Sequence, residues 1–416
     1  MRNLYTLLVI ACMISLCAGG VVGATIVASD CSKSKVQSAI NAAKGGDTVR
    51  VPAGTAAWDS AVTVRGKSIT LQGAGITQTV ITGGVDVTLT ASNFFTISGF
   101  QFSTRDKAQG GIIYIEGQHG SPVPQFRITH CQVNVAPLSG SVIGTRGIGI
   151  VATYGVIDHC LITNHSQNGQ GISLFQDSQL MLSKITWFNP QPLGTKNAVE
   201  VEDCTFDFDA LCDGAFDCYD GTKIVFRHNT VVNTSVGWHG ADSAPRSMRS
   251  FEIYQNQFTT TGTNVPYTTI RARGGTGVIW GNTVTGNYKD FIVLSEYRAD
   301  PSYGAPPGAN IDGKFDLTGY PLLDQVGRGS FPPNTPWPNK ASYTPSEYEA
   351  LEPMYQWGNT FKGDNFPLCT VGNPDQSSTY IKPNRDYYDD KPKPGYVPLI
   401  YPYPLVSDDS STHRTR

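Results

Sequence analysis

A short apolar-x-apolar segment that ends in a polar or Cys position recurs along most of this chain, and such a repeat demands a stack of similar units. Its copies read FTISGFQFS, FRITHCQVN, GVIDHCLIT, VEVEDCTFD, IVFRHNTVV, FEIYQNQFT and VIWGNTVTG. The equivalent turn positions are Phe100, Cys131, Cys160, Cys204, Asn229, Asn256 and Asn282, spaced by 31, 29, 44, 25, 27 and 26 residues. Most of these spacings lie in the range of solenoid repeats. An eighth copy, YQWGNTF around Asn359, follows a long interruption. Within a copy the residues alternate, as in Phe251 and Ile253 against Glu252 and Tyr254, so each strand has one face to bury. One rung alone cannot bury it. Stacked at the strand spacing of roughly 4.8 Å, like residues align into columns. Asn229, Asn256 and Asn282 are expected to form an inward amide column that satisfies turn backbone groups. Cys131, Cys160 and Cys204 continue that column as small apolar fillers.

Composition agrees with an all-β chain. The 416 residues include 44 Gly and 26 Pro and only 16% charged residues, a mixture that favours strands and turns over long helices. A net charge of -3 without a basic tract excludes nucleic acid as the expected partner. Residues 1–24 read as a secretory signal peptide, with Arg2, an apolar run from Leu4 to Cys17, and Val22-Gly23-Ala24 as the cleavage site. A lipoprotein signal ending at Cys12 is the rival reading. The expected location is therefore extracellular. Without the leader, seven of the nine Cys remain, an odd number that implies some free thiols. Cys212 and Cys218 flank a short acidic loop and could close a disulfide or pack as free thiols.

The stretch VQSAINAAKGGDTVRVPAGT, followed by KSITLQGAG and then by the rungs, resembles the pectate-lyase-like superfamily of right-handed parallel β-helix proteins. The fold this implies is a single-stranded right-handed parallel β-helix with a capping helix from about Lys35 to Ala43 and a first strand over residues 47–51. The resemblance covers roughly residues 25–286 and the rung at Asn359. Residues 287–353 are expected to form a long insertion on the helix surface, 354–365 a further rung, and 366–416 a Pro- and Tyr-rich strap ending in a disordered tail. A capped solenoid supplies its own core, so a monomer is expected.

In this superfamily the strand that opens each turn precedes the ladder segments, which here selects residues 215–219, 235–240 and 268–273. With Phe216, Cys218, Val236, Trp238, Ile270 and Ala272 inward, alternation turns Asp217, Tyr219, His239, Arg271 and Arg273 outward. Cleavage of a uronate polymer by β-elimination needs cations on the sugar carboxylate and a base for the adjacent carbon proton. Arg271 and Arg273 are the candidate cations, His239 the base and Tyr219 the proton donor to the leaving oxygen. Asp217, Trp238, Arg246 and Arg249 are the candidate substrate contacts. The bland alternative is a surface network in which the arginines pair with Asp217 or Asp220. Many lyases of the superfamily use calcium, and Asp213, Asp217 and Asp220 are its candidate ligands, although no defined calcium loop is present. GVIDHC resembles a segment of calcium-dependent pectate lyases but carries Val156 in place of their Trp, so Asp158 and His159 are read as structural. Two rival functions stand beside the lyase. A polygalacturonase-like hydrolase matches His239-Gly240 and Arg271-Ala272-Arg273 but lacks recognisable paired carboxylates. A non-catalytic glycan-binding solenoid would use the same face without turnover.

Overall fold

The computed structural model describes residues 23–103, 110–135, 145–164, 169–175, 191–209, 214–240, 247–262, 266–295, 324–329, 350–364, 368–372 and 377–407. Nearly all of the expected leader, most of the expected insertion and the last nine residues lie outside them. Each repeat folds into three short strands, because period-2 burial lets every strand hide one face and the turn residues bend the chain between them.

Three parallel faces result. The first, the ladder sheet, has 12 strands and runs from Thr25–Val27 to Tyr387–Tyr388. A second sheet of 10 strands runs from Gly54–Ala57 to Thr360–Phe361. The third face joins a six-stranded sheet ending at Gly214–Tyr219 to a four-stranded sheet beginning at Val236–Gly237. Two hydrogen bonds make the join, Ala215 N–H to the Ser235 carbonyl at 2.7 Å and His239 N–H to the Cys218 carbonyl at 3.2 Å. We call this third face the groove sheet. Its inward partner on the ladder sheet is a fully buried column, Ile97, Ile128, Ile157, Val201, Phe226, Ile253 and Ile279, in continuous parallel register.

At the turn after the ladder sheet, Asn229, Asn256, Asn282 and Asn359 form the expected amide column. Each side-chain oxygen accepts from the backbone N–H of the preceding ladder residue, starting with Cys204 N–H to Asn229 Oδ1 at 2.9 Å. Each Nδ2 donates to a carbonyl of the rung before it, as in Asn256 Nδ2 to the Phe226 carbonyl at 2.8 Å. Cys131, Cys160 and Cys204 extend the column as buried free thiols. The residue before each ladder position, whether Gly99, His130, His159, Asp203, His228, Gln255, Gly281 or Gly358, has a positive φ between 49° and 75°. Left-handed backbone at that one position produces the sharp corner.

The helix α1 (Lys33–Ala42) buries Val36, Ala39 and Ile40 against the first rungs. Lys67 Nζ donates to the carbonyls of Ile40, Asn41 and Ala43 at 2.8 Å each, satisfying groups that the helix end leaves open. Two expected boundaries are corrected. Asp290–Leu294 falls inside the expected insertion yet pairs with Thr268–Ala272, and Cys369–Val371 pairs with it in turn, so rungs continue past residues 286 and 365. Phe291, Ile292 and Leu294 bury the same inward face as earlier rungs, which is what keeps them in the stack. Cys218 is a free thiol in the core, and Cys212 lies outside the described residues.

The C-terminal strap runs back over the outer face of the ladder sheet. Lys391 N–H bonds the Gln356 carbonyl, Tyr396 Oη bonds Glu252 at 2.7 Å, Arg227 reaches the carbonyl of Leu399 at 2.8 Å, and Tyr403 N–H bonds Glu202 at 2.8 Å. The sheet beneath is charged. Arg127 holds Asp158 with two nitrogens at 2.9 and 3.1 Å, and Arg227 pairs with Glu202 at 2.7 Å. These contacts bear out a structural role for Asp158, which also accepts from Thr129 and contacts His159. Glu200 is buried with no hydrogen bond to either oxygen, and Arg227 Nε stands 3.6 Å away.

Burial pushes the Glu200 carboxyl up to about 8, against the pull of Arg227 and with the help of Glu252 and Glu202. The folded chain thus keeps a proton that the unfolded chain releases near the ordinary glutamate value. Stability present below that value is lost as pH rises toward about 8. Thermal denaturation of Glu200→Gln across pH 5 to pH 9 is expected to show a flatter slope than the parent chain and a higher midpoint at the alkaline end. Asn256→Ala strips a donor and an acceptor from the column at once, and urea denaturation is expected to show a loss of about 3–5 kcal/mol.

Candidate functional site on the groove sheet

Gly214–Tyr219 and Thr268–Ala272 stand on either side of Val236–Gly237, and their alternation is the expected one: Phe216, Cys218, Val236, Trp238, Ile270 and Ala272 are all buried in the core. The opposite parity places Asp217, Tyr219, His239, Arg271 and Arg273 on the outer side of the sheet, with Gly237 opposite Arg271. Because neighbouring strands are parallel and in register, side chains that follow one another in a column touch.

Asp217 is the hub of the site. His239 Nδ1 lies 2.8 Å from its Oδ1, while Tyr219 Oη donates to Oδ2 at 2.5 Å and Gln170 Nε2 donates to Oδ2 at 2.6 Å. Ser173 in turn donates to Gln170 Oε1, which fixes the amide so that its nitrogen faces the carboxylate. A carboxylate held on Nδ1 favours the tautomer with the proton there, and the second ring nitrogen, Nε2, then carries the lone pair. The imidazole is further held by stacking on Tyr219, ring centroids 4.2 Å apart. Tyr219 stacks on Phe175 at 4.8 Å, and Arg146 lies over Phe175 at 4.8 Å from its centroid. Burial and the negative Asp217 hold the Tyr219 phenol well above its ordinary value, so it remains a donor.

Several sequence expectations need correction. Asp217 is only 3% exposed and its oxygens are taken by Gln170, Tyr219 and His239, which closes it to the direct contact expected of it. Tyr219 is 9% exposed and donates its hydroxyl to Asp217, which occupies the proton expected for a leaving oxygen. Trp238 is fully buried and its Nε1 donates to the Gly274 carbonyl at 2.9 Å, because its parity in the strand is inward. Arg249 is 1% exposed and pairs with Glu352 at 2.6 Å, at the foot of the ladder sheet. Arg246 lies outside the described residues, as does Asp213. Of the other expected calcium ligands, Asp217 meets hydrogen-bond donors and Asp220 is buried on a turn with φ 51°. Among the described residues no group of three or more His, Cys, Asp or Glu is placed to hold a metal ion.

Arg273 Nε donates to the Trp238 carbonyl at 2.7 Å, which sets its guanidinium on the strand next to His239, and Arg271 is exposed one step along the same strand. The sequence reading missed Arg146, Gln170, Ser173 and Phe175. The step that selected residues 215–219 reaches them if applied to the two preceding rungs, whose strands Thr145–Val151 and Gly169–Phe175 also open their turns.

Residues 83–258 match the family model described as the right handed beta helix region. The fold is a right-handed parallel β-helix. Solved structures to which the chain is similar include an alginate lyase from Paenibacillus sp. str. FPU-7, 15% identical over 64% of this chain and 97% of that one, with a TM-score of 0.36. Another is ORF18 of Geobacillus virus E2, 16% identical over 64% of this chain and 57% of that one, TM-score 0.27. The catalytic domain of a GH87 alpha-1,3-glucanase in complex with tetrasaccharides is 11% identical over 89% of this chain and 68% of that one, TM-score 0.26. No curated protein matches the chain. Among the described residues, no helix is long and apolar enough to cross a membrane.

The placement of Trp238 in this right-handed β-helix separates a core role from a sugar-stacking role. Trp238→Ala is expected to cost about 3–5 kcal/mol in urea denaturation, where a surface aromatic would cost little.

Proposed function

We propose that this chain is an exported lyase that cleaves a uronate polysaccharide by β-elimination on the groove sheet. The observation that carries the reading is the Asp217–His239 pair at 2.8 Å on the outer side of the sheet, with Arg273 and Arg271 on the adjacent strand. His239 Nε2 takes the proton from the carbon next to the sugar carboxylate. The electron pair left behind forms the ring double bond, and the bond to the glycosidic oxygen breaks. That oxygen then takes a proton, which the imidazolium is placed to return. Arg271 and Arg273 neutralise the carboxylate, which makes the carbon proton more acidic. Asp217 stabilises the imidazolium as it forms, and Tyr219 and Gln170 hold Asp217.

Hydrolysis is disfavoured by the same geometry. It needs one carboxyl to protonate the leaving oxygen and another to activate water or attack the sugar, whereas the carboxylate at this site, Asp217, is buried under three donors. Trp238 turns inward and offers no stacking face, whereas Tyr267 is 58% exposed and stays open to a passive glycan-binding reading. No step of the reading passes through calcium.

The test follows the ultraviolet absorbance of the unsaturated product with pectate, alginate and other uronate polymers, with and without added calcium. Turnover is expected from the parent chain, with His239→Ala slower by about 10²–10⁴-fold and Asp217→Asn by about 10²-fold. Glycan binding without turnover, or full turnover in His239→Ala, would overturn the reading.

A further inference from the structure

We propose that Arg146, seated on the ring of Phe175, is a second carboxylate-binding subsite of the same groove, so that an anionic polymer lies along the solenoid axis and is gripped on both sides of His239. The inference rests on the uronate reading above and adds to it a footprint and a direction.

A stacked series crosses four strands of the sheet. Arg146 lies over Phe175 at 4.8 Å, Phe175 over Tyr219 at 4.8 Å with planes 1° apart, and Tyr219 over His239 at 4.2 Å. Arg273 follows on the fifth strand, where its Nε bond to the Trp238 carbonyl anchors it. At roughly 4.8 Å per strand, Arg146 stands about 14 Å to one side of His239 and Arg273 about 5 Å to the other. The guanidinium carbon of Arg146 stands 4.8 Å from the Phe175 ring centroid, a cation–π contact, and a guanidinium offers the planar donor fork that a carboxylate accepts from. Phe175 thus does for Arg146 what packing in a core does for an apolar side chain: it removes rotamer freedom before a ligand arrives.

The charge on the face changes sign beyond Arg146. The strand Ile113–Glu116 carries Glu116, paired with His119 at 2.9 Å, and the strand before it carries Asp86 in register with Tyr114. These carboxylates oppose a polyanion, so the cationic track ends at the Arg146 strand. The resulting footprint spans five strands, about 19 Å between its outer strands. A chain of several sugar rings fills that length, and a disaccharide does not.

The experiment compares the parent chain with Arg146→Gln and Phe175→Leu, each checked for an unchanged melting transition. Binding is measured by affinity electrophoresis in gels containing alginate, polygalacturonate or a neutral glucan, and kinetics with uronate oligomers of increasing length. Arg146→Gln is expected to weaken uronate binding and raise KM roughly tenfold for long oligomers, with a much smaller change in kcat and no change in KM for the shortest one. Phe175→Leu is expected to give part of that loss. Parent-like binding and KM in Arg146→Gln, in a background where His239→Ala abolishes turnover, would overturn the subsite and leave the lyase reading standing. If the parent chain neither binds nor cleaves any uronate polymer, both readings fall.

Discussion

The corner after the ladder sheet is the constraint on which the rest of the molecule depends. A chain that winds through many rungs must bury a turn at every rung, and each turn brings backbone N–H and carbonyl groups into a dry interior. The amides of Asn229, Asn256, Asn282 and Asn359 satisfy them rung by rung, each borrowing from the next. Because the bonds run along the axis, they tie every rung to the phase of its neighbour. That shared phase is what brings Asp217, His239 and Arg273 together from strands separated by long loops.

Burial without an apolar surface is the second theme. The outer ladder face would be an ordinary solvated surface were it not covered by the strap. Under cover, Arg227, Glu202, Asp158 and Arg127 pair at short range, and Glu200 is left without a hydrogen bond, 3.6 Å from the Arg227 guanidinium. Removing one member of such a pair costs more than the pair itself contributes, because the survivor stays dry and charged. The groove face solves the opposite problem. It keeps a hydrogen-bonded carboxylate beneath an imidazole near solvent, which is a condition for proton transfer.

The ladder columns were legible because Cys or Asn recurs at one position in every copy after the first, which carries Phe100. The left-handed residue before them was not, since Gly, His, Asp and Gln all fill it and only backbone geometry unites them. Alternation located the groove-sheet strands and their inward residues, and it already placed Trp238 inside, a position that a substrate contact cannot share. Arg249 was illegible for another reason. Its partner Glu352 is 103 residues away, beyond any local pattern. Phe175 escaped because the 44-residue step between Cys160 and Cys204 interrupts the period at the place where its strand belongs.

The strap ends far from where it begins. Having left the last ladder strand at Tyr388, it passes Gln356, Glu252, Arg227 and Glu202 and brings the Leu405 carbonyl to 3.4 Å from Arg127, a residue laid down in the first third of the chain. It can dock only on a stack that is already complete and in phase, since a single slipped rung would set its hydrogen-bonding groups against the wrong charges. The strap therefore ties rungs from the late end of the solenoid to rungs near its start, and the finishing segment retraces the stack that precedes it in the chain.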